Sequence, residues 1–331
     1  MKKTKVLKFI LIISLVVIAV LIFLSFKRKA ITEPVSSKIE IEEPEIEIQE
    51  SETPKIQESE EPETTELEIE EIEEPEEAVP QEPETLHYVD AWDEWHDMVI
   101  NPNVRKHPYN YEYLKNDKEI ITYEGDDNYS IRKGVDVSHH QGHIDWEKVH
   151  AAGYEFAILR IGYRGYGKSG SLNKDKRFDE NIVNAQGAGM DVGVYIFAQA
   201  INEEEALEEA DACIKWLDGY ELQLPVVYDP ELIRDDEART DDVSGEQFTK
   251  NAIVFCERIK EAGYTPMIYS NMVWEDELFS MEELEKYMFW YADYELIPQT
   301  PYDFVFWQLS EKGKVPGVDG GVDIDIEFIE K

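Results

Sequence analysis

The sequence is poor in cysteine and in cationic residues, and each shortage excludes something. It has 2 cysteines, Cys213 and Cys256, so at most one disulfide can form, and their places on apolar faces of predicted helices favour free thiols. Lys and Arg number 32 against 73 Asp and Glu, which gives the 331 residues a formal net charge of -41. So acidic a chain repels phosphate groups. This excludes electrostatic binding to nucleic acid and argues against docking on anionic lipid.

Aromatic residues are absent from residues 32–85, and this stretch cannot bury enough apolar surface to fold. Residues 33–84 contain 22 Glu and 2 Lys, with repeated Glu-Pro steps. We therefore predict a disordered Glu/Pro-rich stalk over residues 27–86. In extended polyproline geometry, at about 3.1 Å per residue, such a stalk reaches up to roughly 170 Å.

A long uncharged run occupies residues 9–26, which are apolar except for two serines. Its length suits a transmembrane helix. A short basic segment, residues 1–8, precedes it, and the basic residues 27–29 follow it. A cleaved signal peptide has small residues at that second position and an apolar core of about 7 to 15 residues. An uncleaved single-pass membrane anchor is therefore favoured over a secretory signal.

Residues 131–331 alternate β-rich runs with amphipathic helical runs, a pattern that predicts an α/β barrel. Strands are predicted near 133–138, 156–161, 191–197, 224–229, 265–270, 288–292, 304–308 and 322–326. Helices are predicted near 145–152, 178–188, 202–217, 244–261 and 281–287, and the helical gaps shrink after the fifth strand. Residues 87–130 are rich in Trp and Tyr and are expected to pack on the barrel, with sugar stacking as the less favoured alternative.

Two carboxylates follow the predicted strand at 224–229. Asp229 and Glu231 are spaced i, i+2, which on an extended chain places both on one face. Pro230 between them lacks an N–H group and marks the end of regular strand pairing. In a parallel β/α barrel the C-terminal ends of the strands form the active-site mouth, where this pair would lie. By itself such a triplet is more typical of a solvated turn, so the surrounding motifs decide.

Several separated motifs carry a resemblance to a known family. Residues 136–146 read D-V-S-H-H-Q-G-H-I-D-W, residues 152–162 read A-G-Y-E-F-A-I-L-R-I-G, and D-P-E and V-D follow at 229–231 and 322–323. In this order they closely resemble the family 25 glycoside hydrolases, over about residues 130–328. Members of that family are muramidases, which cut the β-1,4 bond between N-acetylmuramic acid and N-acetylglucosamine in peptidoglycan. The resemblance implies a reduced TIM-like (β/α) barrel that has lost most of its last helices, and no metal or other cofactor.

The resemblance also implies catalytic positions, which are Asp136, Asp229, Glu231 and Asp323. Glycoside hydrolysis needs a proton donor, and Glu231 is expected to be this general acid, with a raised pKa. Asp229 is expected to stay ionised and to orient the substrate 2-acetamido group for attack on the anomeric carbon. The alternative uses Asp136 or Asp323 as the base for an inverting water. The chain departs from the family pattern at Pro230, usually aliphatic, and at Asp325, often Asn.

Residues at other predicted strand ends are expected to bind substrate at the same mouth, because pyranose rings stack on aromatic faces. These candidates are Tyr195, Phe197, Tyr269, Tyr291, Trp307 and Gln308. His139, His140 and His143 do not converge on an extended segment, so no metal site is expected. Arg160 and Arg164 are expected to form salt bridges with acids of the barrel, and contact with substrate carboxylates is the alternative.

Two other functions stay open on the sequence. The first is a non-catalytic peptidoglycan-binding or scaffold protein, which would not need all four acids. The second is a chitinase, whose fuller run of spaced aspartates before the acid is missing here. The favoured interpretation has glycan strands of peptidoglycan as partner, a membrane contact through residues 9–26, and a catalytic domain on the extracellular side of a bacterial cell membrane.

Overall fold

A computed structural model describes residues 82–117, 120–234 and 236–331. The predicted anchor at residues 9–26 and nearly all of the predicted stalk lie outside these ranges. Within them, the helices are too short or too polar to cross a bilayer. Strand β1 begins at Thr85. The predicted stalk boundary at residue 86 is therefore wrong, because Thr85 and Leu86 already pair with Val99 and Met98 in a hairpin.

Two antiparallel hairpins come first in the described chain. They consist of β1 (Thr85–Val89) with β2 (Trp95–Val99), and of β3 (Leu114–Asn116) with β4 (Ile121–Tyr123). Aromatic contacts join this segment to the rest of the domain. The Tyr109 ring stacks on Phe328 with centroids 3.8 Å apart, and its hydroxyl donates to the Phe304 carbonyl at 2.5 Å.

The remaining strands of the described chain form one sheet. They are β5 (Tyr129–Val137), β6 (Tyr154–Arg164), β7 (Leu172–Lys174), β8 (Asp191–Ala198), β9 (Val226–Pro230), β10 (Pro266–Ser270), β11 (Met288–Ala292), β12 (Phe306–Gly313) and β13 (Val322–Glu330). Strands β5, β6 and β8 to β12 are parallel neighbours, and β13 closes the barrel between β12 and β5. The short β7 pairs with the last residues of β6.

Five α-helices lie between the strands, as predicted: α1 (Trp146–Ala151), α2 (Phe178–Gly187), α3 (Glu203–Trp216), α4 (Gly245–Glu261) and α5 (Met281–Leu284). Asn202 and Ser244 cap α3 and α4, because each side chain accepts a backbone N–H from the first turn. Cys213 and Cys256 lie on these two helices as buried free thiols. Only the short α5 and a π-helical turn at Trp274–Leu278 separate β10 from β11, which confirms the reduced barrel.

The direction of the last strand distinguishes this barrel from an all-parallel one. Strand β13 runs antiparallel to both neighbours, because only the short connection from β12 precedes it and a parallel return needs a crossover. Its N-terminal end therefore lies at the mouth where the parallel strands end. Asp323 is the second residue of β13, as it is of the predicted strand at 322–326. It reaches the mouth because the strand direction is reversed.

Alternation along the strands separates two apolar layers. The layer inside the barrel contains Phe156, Ile158, Val227, Met267, Tyr269, Trp290, Ala292 and Phe306. The other layer packs against the helices and the N-terminal segment and contains the intervening residues, among them Ala157, Leu159, Tyr228, Ile268, Tyr291 and Trp307. Which residue enters the mouth is thus decided by its parity on the strand.

Glu275, on the π-helical turn, is a buried carboxyl group with neutral partners. Its Oε1 accepts from the Ser270 hydroxyl at 2.7 Å, and its other oxygen bonds to the Thr300 hydroxyl. Among the described residues no cationic side chain forms an ion pair with it. Burial therefore raises the pKa of Glu275 from its usual 4.5 to about 7.

This raised pKa predicts how stability depends on pH. Between about pH 4.5 and 7 the folded protein holds a proton that the unfolded chain releases, so the free energy of unfolding falls as the pH rises. Glu275 lowers the free energy of unfolding by about 3 kcal/mol in total, and this loss is complete above about pH 7. Urea unfolding at pH 5 and pH 8 should show a smaller fall for Glu275→Gln than for the natural chain. An equal fall in both proteins would assign the pH dependence to other carboxyls.

Candidate active site

The carboxylates predicted from the sequence meet at the mouth of the barrel. Asp136 is the next-to-last residue of β5 and pairs in register with Asp323 on β13. Asp229 is the next-to-last residue of β9, and Glu231 follows that strand directly. The neighbouring strand β8 brings Phe197 into register with Asp229. Strand ends from four parts of the sequence thus supply one site.

Gln308 links three strands through its side-chain amide. The hydroxyls of Tyr269 and Tyr294 donate to its Oε1 at 3.2 and 3.1 Å, and its Nε2 donates to Asp136 Oδ2 at 2.8 Å. With its Oε1 accepting from both hydroxyls, the amide turns its NH2 group to the carboxyl of Asp136. Gln308 therefore positions Asp136.

Asp136, Asp323 and Asp325 form a carboxyl cluster. Burial, followed by the charges of the other two, raises the pKa of Asp136 well above its usual range. Burial also raises the pKa of Asp323 to about 6, although a hydrogen bond with Asp136 opposes the rise. Asp325 is fully buried and accepts the indole N–H of Trp290 at 2.9 Å. Since three adjacent carboxyls cannot all ionise cheaply, the cluster retains protons near neutral pH.

Asp229 and Glu231 differ in their access to water. Asp229 is 2% exposed, and its Oδ1 is buried without a hydrogen-bond partner among the described residues. Glu231 stays open to solvent at the mouth although protein surrounds much of its carboxyl. Loss of hydration and then the charge of Asp323 raise the pKa of Glu231 to about 7, and Arg160 opposes this rise. A group with this pKa can hold and release a proton near neutral pH.

The surroundings of Asp229 in the unliganded site oppose the ionisation expected for it. Burial, followed by the charge of Glu231, raises the pKa of Asp229 well above its usual range, and Arg160 only partly compensates. The guanidinium of Arg160 is held elsewhere, because its Nε and Nη2 bond to Asp175 Oδ2 at 3.0 and 2.9 Å. The salt bridge predicted for Arg160 is thus confirmed, and its partner is Asp175.

Comparison with known proteins shows which family this barrel belongs to. The model of the glycosyl hydrolases family 25 matches residues 135–318. The chain belongs to this family. It is 32% identical over 201 residues to Lysozyme M1 from Streptomyces globisporus, covering 58% of this chain and 66% of that protein.

Two further relatives agree with this membership. An autolytic lysozyme from Clostridium acetobutylicum is 24% identical over 200 residues, covering 60% of this chain and 56% of that protein. A solved structure of a family 25 glycosyl hydrolase from Bacillus anthracis is 25% identical, with a TM-score of 0.51, covering 62% of this chain and 92% of the other. The chain thus spans less than two thirds of the length of both curated lysozymes.

Two departures from the family pattern are accommodated locally. Pro230 ends β9 in register with Ala198 and continues the strand that carries Asp229. Asp325 occupies a position often filled by Asn and keeps one oxygen on the Trp290 indole, while its Oδ2 has no hydrogen-bond partner among the described residues. An amide at this position could accept the same indole N–H.

The predicted substrate-binding aromatic residues divide by strand parity. Tyr195, Phe197 and Tyr269 lie on the inner face at or near the mouth, where the rings of Tyr195 and Tyr269 meet Trp290 edge-on at 5.9 and 5.0 Å. Tyr291 and Trp307 do not lie on the inner face, so the prediction that they bind substrate at the mouth is wrong. Both are fully buried in the outer apolar layer.

The polar groups of the two misplaced aromatics confirm that outward direction. The Tyr291 hydroxyl donates to Asp293 Oδ2 at 2.8 Å, and the Trp307 indole donates to the Asp293 carbonyl at 2.7 Å. Their strand neighbours Trp290 and Gln308 face inward instead. The run 288–292 is apolar throughout, so its sequence carried no alternation from which to choose the inner residue.

Sequence reasoning also missed residues that line the cavity beside Glu231. Among them are Ala91, Trp92, Asn271, Tyr294 and Glu311. The first four lie on loops or hairpin turns next to strand ends, where alternation gives no signal, and Glu311 lies in β12. Ala91 and Trp92 come from outside the family match at residues 135–318.

His139 and His143 each lie beside a different carboxylate. His139 Nδ1 lies 3.0 Å from Asp175, and His143 Nδ1 lies 2.9 Å from the exposed Glu180. A different set, Asp90, Glu94 and His96, brings its ligand atoms within 4.8 Å of one another. Arg234 already supplies positive charge there, because its guanidinium lies 3.2 Å from Glu94 and 3.7 Å from Asp90.

Proposed function

We propose that the protein is a membrane-anchored muramidase that hydrolyses the β-1,4 bond between N-acetylmuramic acid and N-acetylglucosamine in peptidoglycan. The observation that carries this proposal is the pairing of a solvent-accessible Glu231, with a pKa of about 7, with the buried Asp229 two residues away. Family membership and two relatives named as lysozymes support the substrate.

Glu231 acts as the general acid in this mechanism. It protonates the glycosidic oxygen as the bond to the anomeric carbon breaks. Its position at the open end of β9 lets a leaving sugar reach it, and its raised pKa keeps the proton in place at working pH. Tyr195, Phe197 and Tyr269 supply apolar surface for the sugar rings.

Asp229 orients the 2-acetamido group of the substrate. Its buried Oδ1 lacks a partner in the free protein, and an amide N–H of the sugar would satisfy it. Gaining that donor favours the charged form, so substrate binding lowers the pKa of Asp229 while Glu231 keeps its proton. The acetamido oxygen then attacks the anomeric carbon as the bond to the leaving sugar breaks. Water, deprotonated by the Glu231 carboxylate that has given up its proton, then attacks the same carbon and releases the acetamido oxygen, so that two inversions retain the configuration. Asp136 and Asp323, held by Gln308 and by each other, flank this centre.

A non-catalytic glycan-binding protein is the second candidate. It is less well supported, because a pure binding site gains nothing from buried carboxyls that raise one another's pKa values. Digestion of purified peptidoglycan separates the two. We expect new reducing ends on N-acetylmuramic acid, identified by mass spectrometry. Reducing ends on N-acetylglucosamine would indicate another specificity, and no cleavage at all would leave the binding function.

The proposed location on the cell rests on residues 1–84. Residues 9–26 anchor the chain in the membrane, the acidic stalk spans outward, and the catalytic domain meets peptidoglycan on the extracellular side. Support comes from the length of the uncharged run and from the basic residues on both sides of it.

The anchor predicts a fractionation result. The full-length chain should sediment with membranes and stay there in high salt, because salt screens electrostatic attachment but does not extract an inserted helix. A chain starting at residue 82, just before β1, should stay in the supernatant and cleave isolated peptidoglycan equally well. Shortening the stalk should reduce cleavage of the wall in intact cells only. A mature N-terminus beyond Phe26 would refute the anchor.

A further inference from the structure

The hairpin of β1 and β2 reaches the active-site mouth although it lies outside the family match. Gln299 attaches it there with two hydrogen bonds. Val89 N–H donates to Gln299 Oε1 at 3.0 Å, and Gln299 Nε2 donates back to the Val89 carbonyl at 2.9 Å. The Tyr88 hydroxyl adds a bond to Asp276 Oδ2 at 3.0 Å. These contacts fix the turn between the two strands against the β10 and β11 loops.

The turn has a defined shape. Asp90 Oδ1 accepts the backbone N–H groups of Trp92 and Glu94 at 2.8 and 2.9 Å, and Asp93 takes a left-handed φ of 63°. Asp93 is the one described non-glycine residue with positive φ, a conformation that the flanking hydrogen bonds must hold in place. The turn therefore presents its side chains in a fixed direction.

Trp92 and Glu231 line one and the same cavity. Its wall also includes Tyr269, Asn271 and Tyr294, so Trp92 faces the same cavity as the proposed general acid. Trp92 is 43% exposed. The guanidinium of Arg234 lies 3.7 Å from the centroid of the Trp92 ring. It covers part of the ring and fixes the ring's orientation, because Glu94 holds the guanidinium in place.

Trp95 on the same hairpin provides a contrast. It is 64% exposed and stacks on His87 with centroids 4.6 Å apart. It does not line the cavity that contains Glu231. An exposed indole on this hairpin is thus not sufficient to reach the site, and the turn selects Trp92.

We propose that Trp92 is a sugar-stacking residue that adds a subsite, built by the N-terminal hairpin, to the glycan-binding mouth of the barrel. This inference rests on the proposed function for the identity of the glycan. The CH faces of a pyranose ring match the apolar face of an indole that is held rigid and partly open to water. Arg234 positions the ring from the side that it covers.

The first test is kinetic and uses the full-length protein on glycan strands freed of peptide by an amidase. We expect Trp92→Ala to raise KM about 3- to 10-fold with little change in kcat, because one stacking contact is lost. Trp92→Phe should stay within about twofold of the natural protein, since a smaller aromatic face remains. Trp95→Ala, the matched control, should behave like the natural protein. Equal KM values for Trp92→Ala and Trp95→Ala would overturn the subsite.

The second test separates the subsite from the proposed function. The affinity for the same peptide-free strands is measured in the Glu231→Gln background, where cleavage does not interfere. Trp92→Ala should weaken binding there and Trp95→Ala should not. If the natural protein fails to cleave but this difference appears, the function falls and the subsite stands. If cleavage occurs and the difference is absent, or needs the peptide stems, the sugar subsite is refuted.

Discussion

Glu231→Gln is expected to fold normally and to lose peptidoglycan cleavage by about 10²- to 10⁴-fold. The amide matches the carboxyl in size, so the mouth keeps its shape, but it cannot give up a proton with the strength of a carboxylic acid. Since Glu231 must be protonated to act and its pKa is raised to about 7, activity of the natural protein should fall as the pH rises through 7.

Glu311→Gln is the matched control for this experiment. Glu311 lines the same cavity as Glu231 and carries the same functional group on another strand. We expect it to leave most of the activity in place. Release of reducing ends from purified peptidoglycan, followed from pH 5 to pH 9, measures all three proteins. If Glu311→Gln abolishes cleavage and Glu231→Gln does not, the general acid must be reassigned to Glu311.

The barrel could be predicted because its strands and helices differ strongly in sequence pattern. Each predicted strand from 133–138 to 322–326 is present, and the shrinking gaps after the fifth strand correspond to the short α5. The direction of the last strand was not predicted, although the short connection before it and the alternation V-D-I-D-I-E-F at 322–328 both favour an antiparallel strand. Asp323 reached the predicted site for a reason that only the topology reveals.

The four carboxylates could be predicted because the motifs that contain them resemble the family 25 pattern, whereas the apolar run before Asp229 and Glu231 by itself indicated only a strand end. The aromatic residues could not be assigned as well, because adjacent pairs such as Trp290 and Tyr291 leave the inner residue undefined. A shift of one position along the strand replaces a residue that faces the mouth with one that faces the outer apolar layer. Trp92 was not predicted as a site residue for another reason. It belongs to a turn distant in sequence from Glu231, and only tertiary contacts bring the two together.

The protonation of Asp229 also depends on tertiary structure. Its sequence neighbours Pro230 and Glu231 suggested a simple division into one neutral and one charged carboxyl. In the folded protein, burial acts on both groups, and Arg160, whose charge lowers both pKa values, is bound to Asp175. Burial and charge partners are properties of the fold, so a sequence pattern predicts the residues of such a pair better than their ionisation.

Asp229→Asn is expected to reduce cleavage on the order of 10²-fold while glycan binding changes little. The amide keeps the shape of the side chain but cannot carry the negative charge that the proposed mechanism develops as the acetamido group attacks. Binding is measured by calorimetry with peptide-free glycan strands, and cleavage by release of reducing ends. The free energy of unfolding at pH 8 should not fall, because the substitution removes a buried carboxyl whose ionised form is costly.

Asp325→Asn provides the control for that substitution. It makes the same chemical change at a buried carboxyl of the same mouth, and the new amide oxygen can still accept the Trp290 indole N–H. Because this position often carries Asn in the family pattern, we expect cleavage to persist. Loss of cleavage in Asp229→Asn alone would then be specific to the charge beside Glu231. If glycan affinity fell as far as the cleavage rate, Asp229 would instead be a ground-state contact with no special role in the transition state.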